Sequence, residues 1–265
     1  MKIEVISPHG FCAGVERAVR MANEALSDGV PLCCLHEIVH NESVVKELEG
    51  KGVRFVDDVD DVPSGSAAII SAHGTSPDVF GKAAERGIRI IDATCPFVAA
   101  GHAKIRANFA QGMRTVIMGS PDHAEVRGYL GEPGACLPAD VKPGEKTGRI
   151  VQTTLDSGKH EGVCSATRDR QQAVRRFVEG CRGESPAGVG VLVVGSPKSA
   201  NTARLAEIAR QSGAKSWRVS TTEDVEEIDF RGTEILGVTS GASTPESTLQ
   251  TIVAFLRGVK YFSCV

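Results

Sequence analysis

Residues 88–98 read Ile88-Arg89-Ile90-Ile91-Asp92-Ala93-Thr94-Cys95-Pro96-Phe97-Val98. The isoleucine-rich start predicts a short strand and Ala93-Thr94 a turn. Pro96 ends this small, turn-forming stretch just ahead of the helix expected from Phe97. Cys95 therefore stands just ahead of a helix amino terminus, where unpaired backbone N–H groups and the helix dipole favour the thiolate, the form that binds metal. The same context recurs in Gly10-Phe11-Cys12-Ala13-Gly14 and in Gly162-Val163-Cys164-Ser165. One such cysteine reads most simply as a small buried hydrophobe. Three of them, 83 and 69 residues apart, read as a repeat.

Outward from these cysteines, short β-rich runs alternate with longer amphipathic stretches, the pattern of parallel sheets with helices on their faces. Strands are expected near Ile3–Ile6, Leu32–Leu35, Arg54–Val56, Ala67–Ile70, Ile88–Ile91, Thr115–Met118, Ala135–Leu137, Arg149–Thr153, Val189–Val194, Trp217–Val219 and Ile235–Val238. Apolar residues at three-to-four spacing predict helices over Val15–Leu26, Ser43–Glu49, Pro77–Arg86, Phe97–Ala110, Ala166–Val178, Thr202–Ser212 and Pro245–Arg257. The expected fold class is α/β, with three α/β lobes around a pseudo-threefold axis and the three cysteines meeting at one metal centre. The lobes are 12–95, 96–163, and 164–258 together with 1–11, followed by a tail at 259–265. The middle lobe is the shortened one. Asp156-Ser157-Gly158-Lys159-His160-Glu161-Gly162 is polar and contains two glycines, and a parallel crossover needs about a dozen residues before its returning strand begins. Three strands and a direct loop from Thr154 to Cys164 are expected there.

Composition narrows the function. In 265 residues the net charge is −3, and aromatics are 5% with a single tryptophan. This gives neither the basic excess nor the stacking platforms of a nucleic-acid-binding protein. No apolar run approaches the ~20 residues of a membrane span, and Met1-Lys2-Ile3-Glu4 opens directly into strand-like sequence. The expectation is a cytoplasmic protein with no membrane or nucleic-acid partner. Eight cysteines, none in a CxxC pair, are too few for a disulfide scaffold. In a reducing compartment such thiols are buried, reactive or metal-bound. Cys33, Cys34 and Cys136 fall inside strands, Cys181 at a helix end and Cys264 in the tail.

Several motifs fail: no GxGxxG follows a strand, Gly195-Ser196-Pro197-Lys198-Ser199 lacks the P-loop spacing, and there is no GxSxG elbow. His36-Glu37-Ile38-Val39-His40 matches HExxH, which binds zinc only when both histidines share a helical face. Here the segment follows a strand and precedes the helix-start signal Asn41, so zinc hydrolysis through His36 and His40 is the weaker alternative. More telling are the carboxyl ends of successive strands, where open parallel sheets bind ligands. They carry His40, Ser71-Ala72-His73-Gly74, His123 and Glu125, Gln152-Thr153-Thr154, Ser199 and Asn201, and Thr239-Ser240-Gly241-Ala242-Ser243. Singly these read as caps and structural histidines. Together, hydroxyls, imidazoles and helix amino termini make a site for a phosphate-like anion.

Gly10-Phe11-Cys12-Ala13-Gly14-Val15, His36 to Asn41, Ser71 to Gly74, Asp92 to Pro96, Gln152 to Leu155, Cys164 to Thr167 and Gly237 to Ser243 together resemble the 4-hydroxy-3-methylbut-2-enyl diphosphate reductase (LytB) family. The similarity runs from Ile3 to about Leu256. It implies a trefoil of α/β lobes around a 4Fe-4S cluster held by Cys12, Cys95 and Cys164, with one iron open to a substrate oxygen. It implies that two electrons and two protons remove the allylic hydroxyl as water in the last step of the methylerythritol phosphate route to isoprenoids. The products are isopentenyl and dimethylallyl diphosphates, and a low-potential donor such as ferredoxin or flavodoxin supplies the electrons. By motif, His40, His73, Ser199, Asn201 and Ser243 would bind the diphosphate, His123 would lie near the substrate hydroxyl, and Glu125 with Thr153 would relay protons. The chain departs from the family pattern at His9, Ala124, Asp169 and Ala200, in a short carboxyl-terminal tail and in the short Thr154–Cys164 segment. The other readings are a relative with the same cluster and another substrate, and a non-catalytic Fe-S sensor.

Overall fold

A computed structural model describes residues 1–183 and 188–258. It is α/β, and every strand pair in its three sheets is parallel. The chain divides into two compact units, one of residues 1–12, 156–159 and 164 onward, the other of residues 13–155 and 160–163.

In the first unit β1 (Lys2–Val5), β9 (Val189–Val194), β10 (Lys215–Val219) and β11 (Ile235–Ser240) form one sheet in the order β1-β11-β9-β10. The amino-terminal strand thus pairs with β11, 233 residues away in register, Ile3 lying opposite Leu236. The two central strands, VGVLVV and ILGVTS, are buried along their whole length, as expected where helices cover both faces. Alternation sorts their side chains. Val191 and Val193 pack with Val174 and Val178 of α6 (Ser165–Arg182) and Leu205 and Ile208 of α7 (Ala200–Gln211). Leu192 and Val194 pack on the other face with Leu249, Ile252 and Leu256 of α9 (Glu246–Gly258). Each fully buried aliphatic side chain contributes about 1.5–3 kcal/mol, so these strands anchor the loops at their carboxyl ends.

The second unit holds two sheets. One comprises β2 (Leu32–Leu35), β3 (Arg54–Val56), β4 (Ala67–Ile70) and β5 (Arg89–Asp92) in the order β3-β2-β4-β5. The other comprises β6 (Arg114–Met118), β7 (Ala135–Cys136) and β8 (Thr147–Val151) in the order β7-β6-β8. Their helices are α1 (Ala13–Ser27), α2 (Glu42–Gly50), α3 (Pro77–Glu85), α4 (Pro96–Ala110) and α5 (Ala124–Leu130). Ile117 of β6 packs with Val98 and Ile105 of α4 and with Val126 and Tyr129 of α5.

No helix or strand lies between Val151 and Ser165. The direct connection is strapped to α6: Arg175 donates to Asp156 Oδ1 at 2.7 Å, and the Ser157 backbone N–H and hydroxyl both donate to Gln171 Oε1 at 2.8 Å. Two helices absent from the sequence reading are present, α5 and α8 (Thr222–Glu226). Seven and five residues are too few to display helical periodicity. The expected tail at 259–265, with Cys264, lies outside the described residues. No described helix is long and apolar enough to cross a membrane.

Candidate functional site

The residues expected to do chemistry fall into two groups, one in each unit. In the second unit, the loops after β2, β4 and β6 bring three imidazoles together. His40 and His73 stack with ring centroids 4.3 Å apart, and both present to the edge of His123 at 5.7 Å. His123 is the N-cap of α5, its Nδ1 accepting the Glu125 N–H at 3.2 Å. That contact fixes the neutral tautomer with the proton on Nε2. His40 Nδ1 lies 3.2 Å from Glu37 Oε2, and His73 Nδ1 lies 3.3 Å from the Ser71 hydroxyl. Burial first, and the neighbouring imidazoles second, push His73 well below the usual histidine range and His123 down to about 4. His73 and His123 are therefore neutral donors, polarisable by an anion.

Glu125, only 2% exposed, lies two residues beyond His123 on the first turn of α5. Its carboxyl is held by Thr153, whose N–H donates to Oε1 at 2.8 Å and whose hydroxyl bonds Oε2 at 2.7 Å. Burial pushes the Glu125 carboxyl up to about 7, against the lowering effect of the hydrogen bonds from Thr153 and Tyr129. Such a group holds or releases a proton near neutral pH, the requirement for an acid catalyst. Cys95, the N-cap of α4, belongs to the same unit: its N–H donates to the Ala72 carbonyl at 3.0 Å, one residue before His73. Arg17 of α1 donates to the Thr94 and Asp92 carbonyls at 3.1 and 3.4 Å, bracing the loop that presents the thiol.

In the first unit the loops after β1, β9 and β11 meet the start of α6. The Cys12 N–H donates to the Ala242 carbonyl at 3.0 Å, and the Ala242 N–H donates to Asn201 Oδ1 at 3.2 Å. Asn201 in turn donates through Nδ2 to the Thr167 hydroxyl at 3.3 Å, which lies 3.2 Å from the Cys164 sulfur. Cys164 caps α6, accepting the Thr167 N–H at 3.4 Å, and Ser199 caps α7, accepting the Thr202 N–H at 3.3 Å. Ser243 is buried next to Ala242. Gly241 and Gly195 are required here because a β-carbon at either would overlap the Thr202 hydroxyl, and Gly195 has a φ of 150°.

The sequence reading missed Arg170, 3% exposed on α6. It donates to the Gly10 carbonyl at 2.8 Å, the His9 carbonyl at 3.4 Å and the Ala166 carbonyl at 3.2 Å. The buried cation ties the Cys12 loop to the helix that starts at Cys164. Burial lowers its pKa while the charges of Cys12 and Cys164 hold it up. An arginine three residues after Thr167 in a polar helix reads as a solvated side chain, so only the fold reveals it. At the departures from the family pattern, Ala124 and Ala200 open α5 and α7 directly after capping His123 and Ser199, and His9 pairs with Glu246 at 2.7 Å.

Two kinds of cysteine are evident. Cys33, Cys34 and Cys136 are buried in strands, where desolvation raises their pKa values. Cys12, Cys95 and Cys164 are partly exposed thiols, none in a disulfide, at the starts of α1, α4 and α6. Thiols of this kind, at helix starts and in the first unit beside the Arg170 guanidinium, have the chemistry of iron–sulfur ligands. The HExxH reading is overturned. Residues 36–40 are not helical, His36 has a φ of 58° and pairs with Asp57 at 3.6 Å, while His40 stacks on His73. Among the described residues, no three His, Cys, Asp or Glu side chains are grouped to hold one metal ion.

A model of the LytB protein family matches residues 3–162 and 153–257. The chain is 36% identical to 4-hydroxy-3-methylbut-2-enyl diphosphate reductase 2 of Burkholderia mallei, a match that covers 97% of this chain and 86% of that one. It is 37% identical to the reductase of Neisseria gonorrhoeae, covering 97% and 87%. The solved structure of the E-1-hydroxy-2-methyl-but-2-enyl-4-diphosphate reductase from Plasmodium falciparum superposes with a TM-score of 0.87 at 29% identity, covering 96% of this chain and 87% of that one.

Proposed function

The chain belongs to the LytB family, and from that premise we propose that it removes the allylic hydroxyl of 4-hydroxy-3-methylbut-2-enyl diphosphate reductively. The products are water and isopentenyl and dimethylallyl diphosphates. We further propose that Cys12, Cys95 and Cys164 hold a 4Fe-4S cluster. When bound, a cluster with three protein thiolates keeps one iron open as a Lewis acid for the hydroxyl oxygen and conducts the electrons.

The observation that carries the reading is the Glu125 carboxyl, buried in the grip of Thr153 and poised near pH 7, on a residue whose backbone N–H is capped by His123 of the three-imidazole cluster. A hydroxyl leaves as water only when a proton reaches its oxygen, and Glu125 is the group able to hold one there. Thr153 orients the carboxyl and passes the replacement proton through its hydroxyl. His123 Nε2–H hydrogen-bonds the substrate hydroxyl. His40, His73, Ser199, Asn201 and Ser243 bind the diphosphate, with the amino end of α7 adding backbone N–H groups and its dipole. The overall change is two electrons and two protons in, one water out. The electrons come from a low-potential donor of the ferredoxin or flavodoxin kind, and the proposed setting is the cytoplasm.

Turnover of the diphosphate with a reduced viologen under anaerobic conditions tests this reading. Release of both C5 diphosphates from the wild type, and their loss in Glu125→Gln, is expected. A cluster-loaded wild type that leaves the substrate intact overturns it, and leaves the two readings with another substrate or with a sensor.

A further inference from the structure

Tyr129 lies one helical turn beyond Glu125 on α5 and is almost completely buried. A buried phenol needs a partner for its hydroxyl. This one has two: the Val98 carbonyl of α4 at 3.4 Å and the Glu125 carboxyl. The ring is held against α4. His102 packs against it at 4.9 Å between centroids, and α4 passes so close at Gly101 that a β-carbon there would overlap the phenol oxygen. His102 is itself fixed by Glu132, 2.8 Å from its Nδ1. A tyrosine wedged this firmly at a glycine places one hydroxyl at one carboxyl with little freedom to do otherwise. Tyr129 and Thr153, the two side chains that bond the carboxyl, also line a common cavity of about 570 Å³ with Phe97, Lys104 and Arg149 at its walls.

We propose that Tyr129 is a positioning residue for Glu125, a hydroxyl rotor that serves the carboxyl in both of its protonation states. The phenol has one proton and two acceptors. When Glu125 is ionised, the O–H turns to the carboxylate. When Glu125 is protonated, the O–H turns to the Val98 carbonyl and the phenol oxygen can accept from the acid. The carboxyl therefore loses and regains its proton without leaving a buried polar atom unsatisfied, and no other bond is made or broken. This inference rests on the reading of Glu125 as the proton donor.

The test is the titration of the Glu125 carboxyl, followed by carbon-13 NMR in glutamate-labelled protein and assigned by its absence in Glu125→Gln. Tyr129→Phe keeps the ring and removes the rotor, so the carboxylate loses a donor and the midpoint should rise by about one pH unit. Gly101→Ala, which displaces the phenol oxygen while keeping the tyrosine, should move it in the same direction. The alkaline limb of the turnover profile should follow the midpoint in each variant. A midpoint unmoved in both variants overturns the inference. A midpoint that moves while the alkaline limb stays fixed overturns instead the assignment of Glu125 as proton donor, and the positioning role goes with it.

Discussion

Thr153 holds Glu125 with two donors at once, its backbone N–H on Oε1 at 2.8 Å and its hydroxyl on Oε2 at 2.7 Å. The contact joins the loop after β8 to the first turn of α5. It explains how a carboxyl inside the protein remains able to ionise. Burial alone drives such a group toward permanent protonation, and the hydrogen bonds pull it back to about 7.

Glu125→Gln keeps shape and hydrogen-bonding reach but has no carboxyl proton. Turnover should fall by about 10²-fold or more, while substrate affinity changes far less. Parallel collapse of affinity and rate in steady-state and binding measurements counts against the proton-donor role.

The same carboxyl gives stability a pH dependence. Its folded pKa, about 7, lies above the ordinary 4.5. Its contribution is therefore full below pH 4.5 and is lost as pH rises toward 7, where folding must bury a charge. Glu125→Gln should stabilise the fold at pH 8, by up to roughly 3 kcal/mol, and barely at all at pH 4.5. Denaturant melts at the two pH values decide it: an equal effect at both refutes the raised pKa.

In the anion-free chain His73 and His123 are held neutral. A diphosphate bound beside them reverses the balance, because a nearby negative charge favours the imidazolium. Binding of pyrophosphate should take up protons and tighten between pH 8 and pH 6. Calorimetry in buffers of different ionisation heat measures the uptake, which should shrink in His73→Gln. Equal uptake in wild type and variant places the anion elsewhere.

Arg170 donates to backbone carbonyls of the Cys12 loop from the helix that begins at Cys164. Arg170→Gln strands those buried carbonyls, at a cost of about 1–3 kcal/mol, and should lower the iron content of purified protein. Arg170→Lys should retain more iron. Full iron content in Arg170→Gln removes the bracing role.

What the sequence made legible depended on length and repetition. The apolar runs Val189–Val194 and Ile235–Val238 were legible as strands, and the sheet order places them at its centre. The nine residues between Thr154 and Cys164 were too few for a crossover, and none is present. By contrast α5 and α8 are set by their caps rather than by periodicity: His123 accepts the Glu125 N–H, and Thr221 and Asp224 form a reciprocal box. His40, His73 and His123 are dispersed along the chain and were grouped because each follows a strand; the structure adds that their rings pack on one another. Arg170 carried no signal because a helical arginine reads as solvated, and Tyr129 none because its short helix α5 was not foreseen. The HExxH spacing could be set aside from the sequence, because it has meaning only on a helix and here it follows a strand.

The central claim is that Cys12, Cys95 and Cys164, and not the strand cysteines, hold the cluster. Iron and acid-labile sulfide should be measured per chain after anaerobic reconstitution of the wild type, Cys95→Ser and Cys136→Ser. About four of each is expected in the wild type and in Cys136→Ser, with a strong loss in Cys95→Ser. A full complement of iron and sulfide in Cys95→Ser would contradict the account.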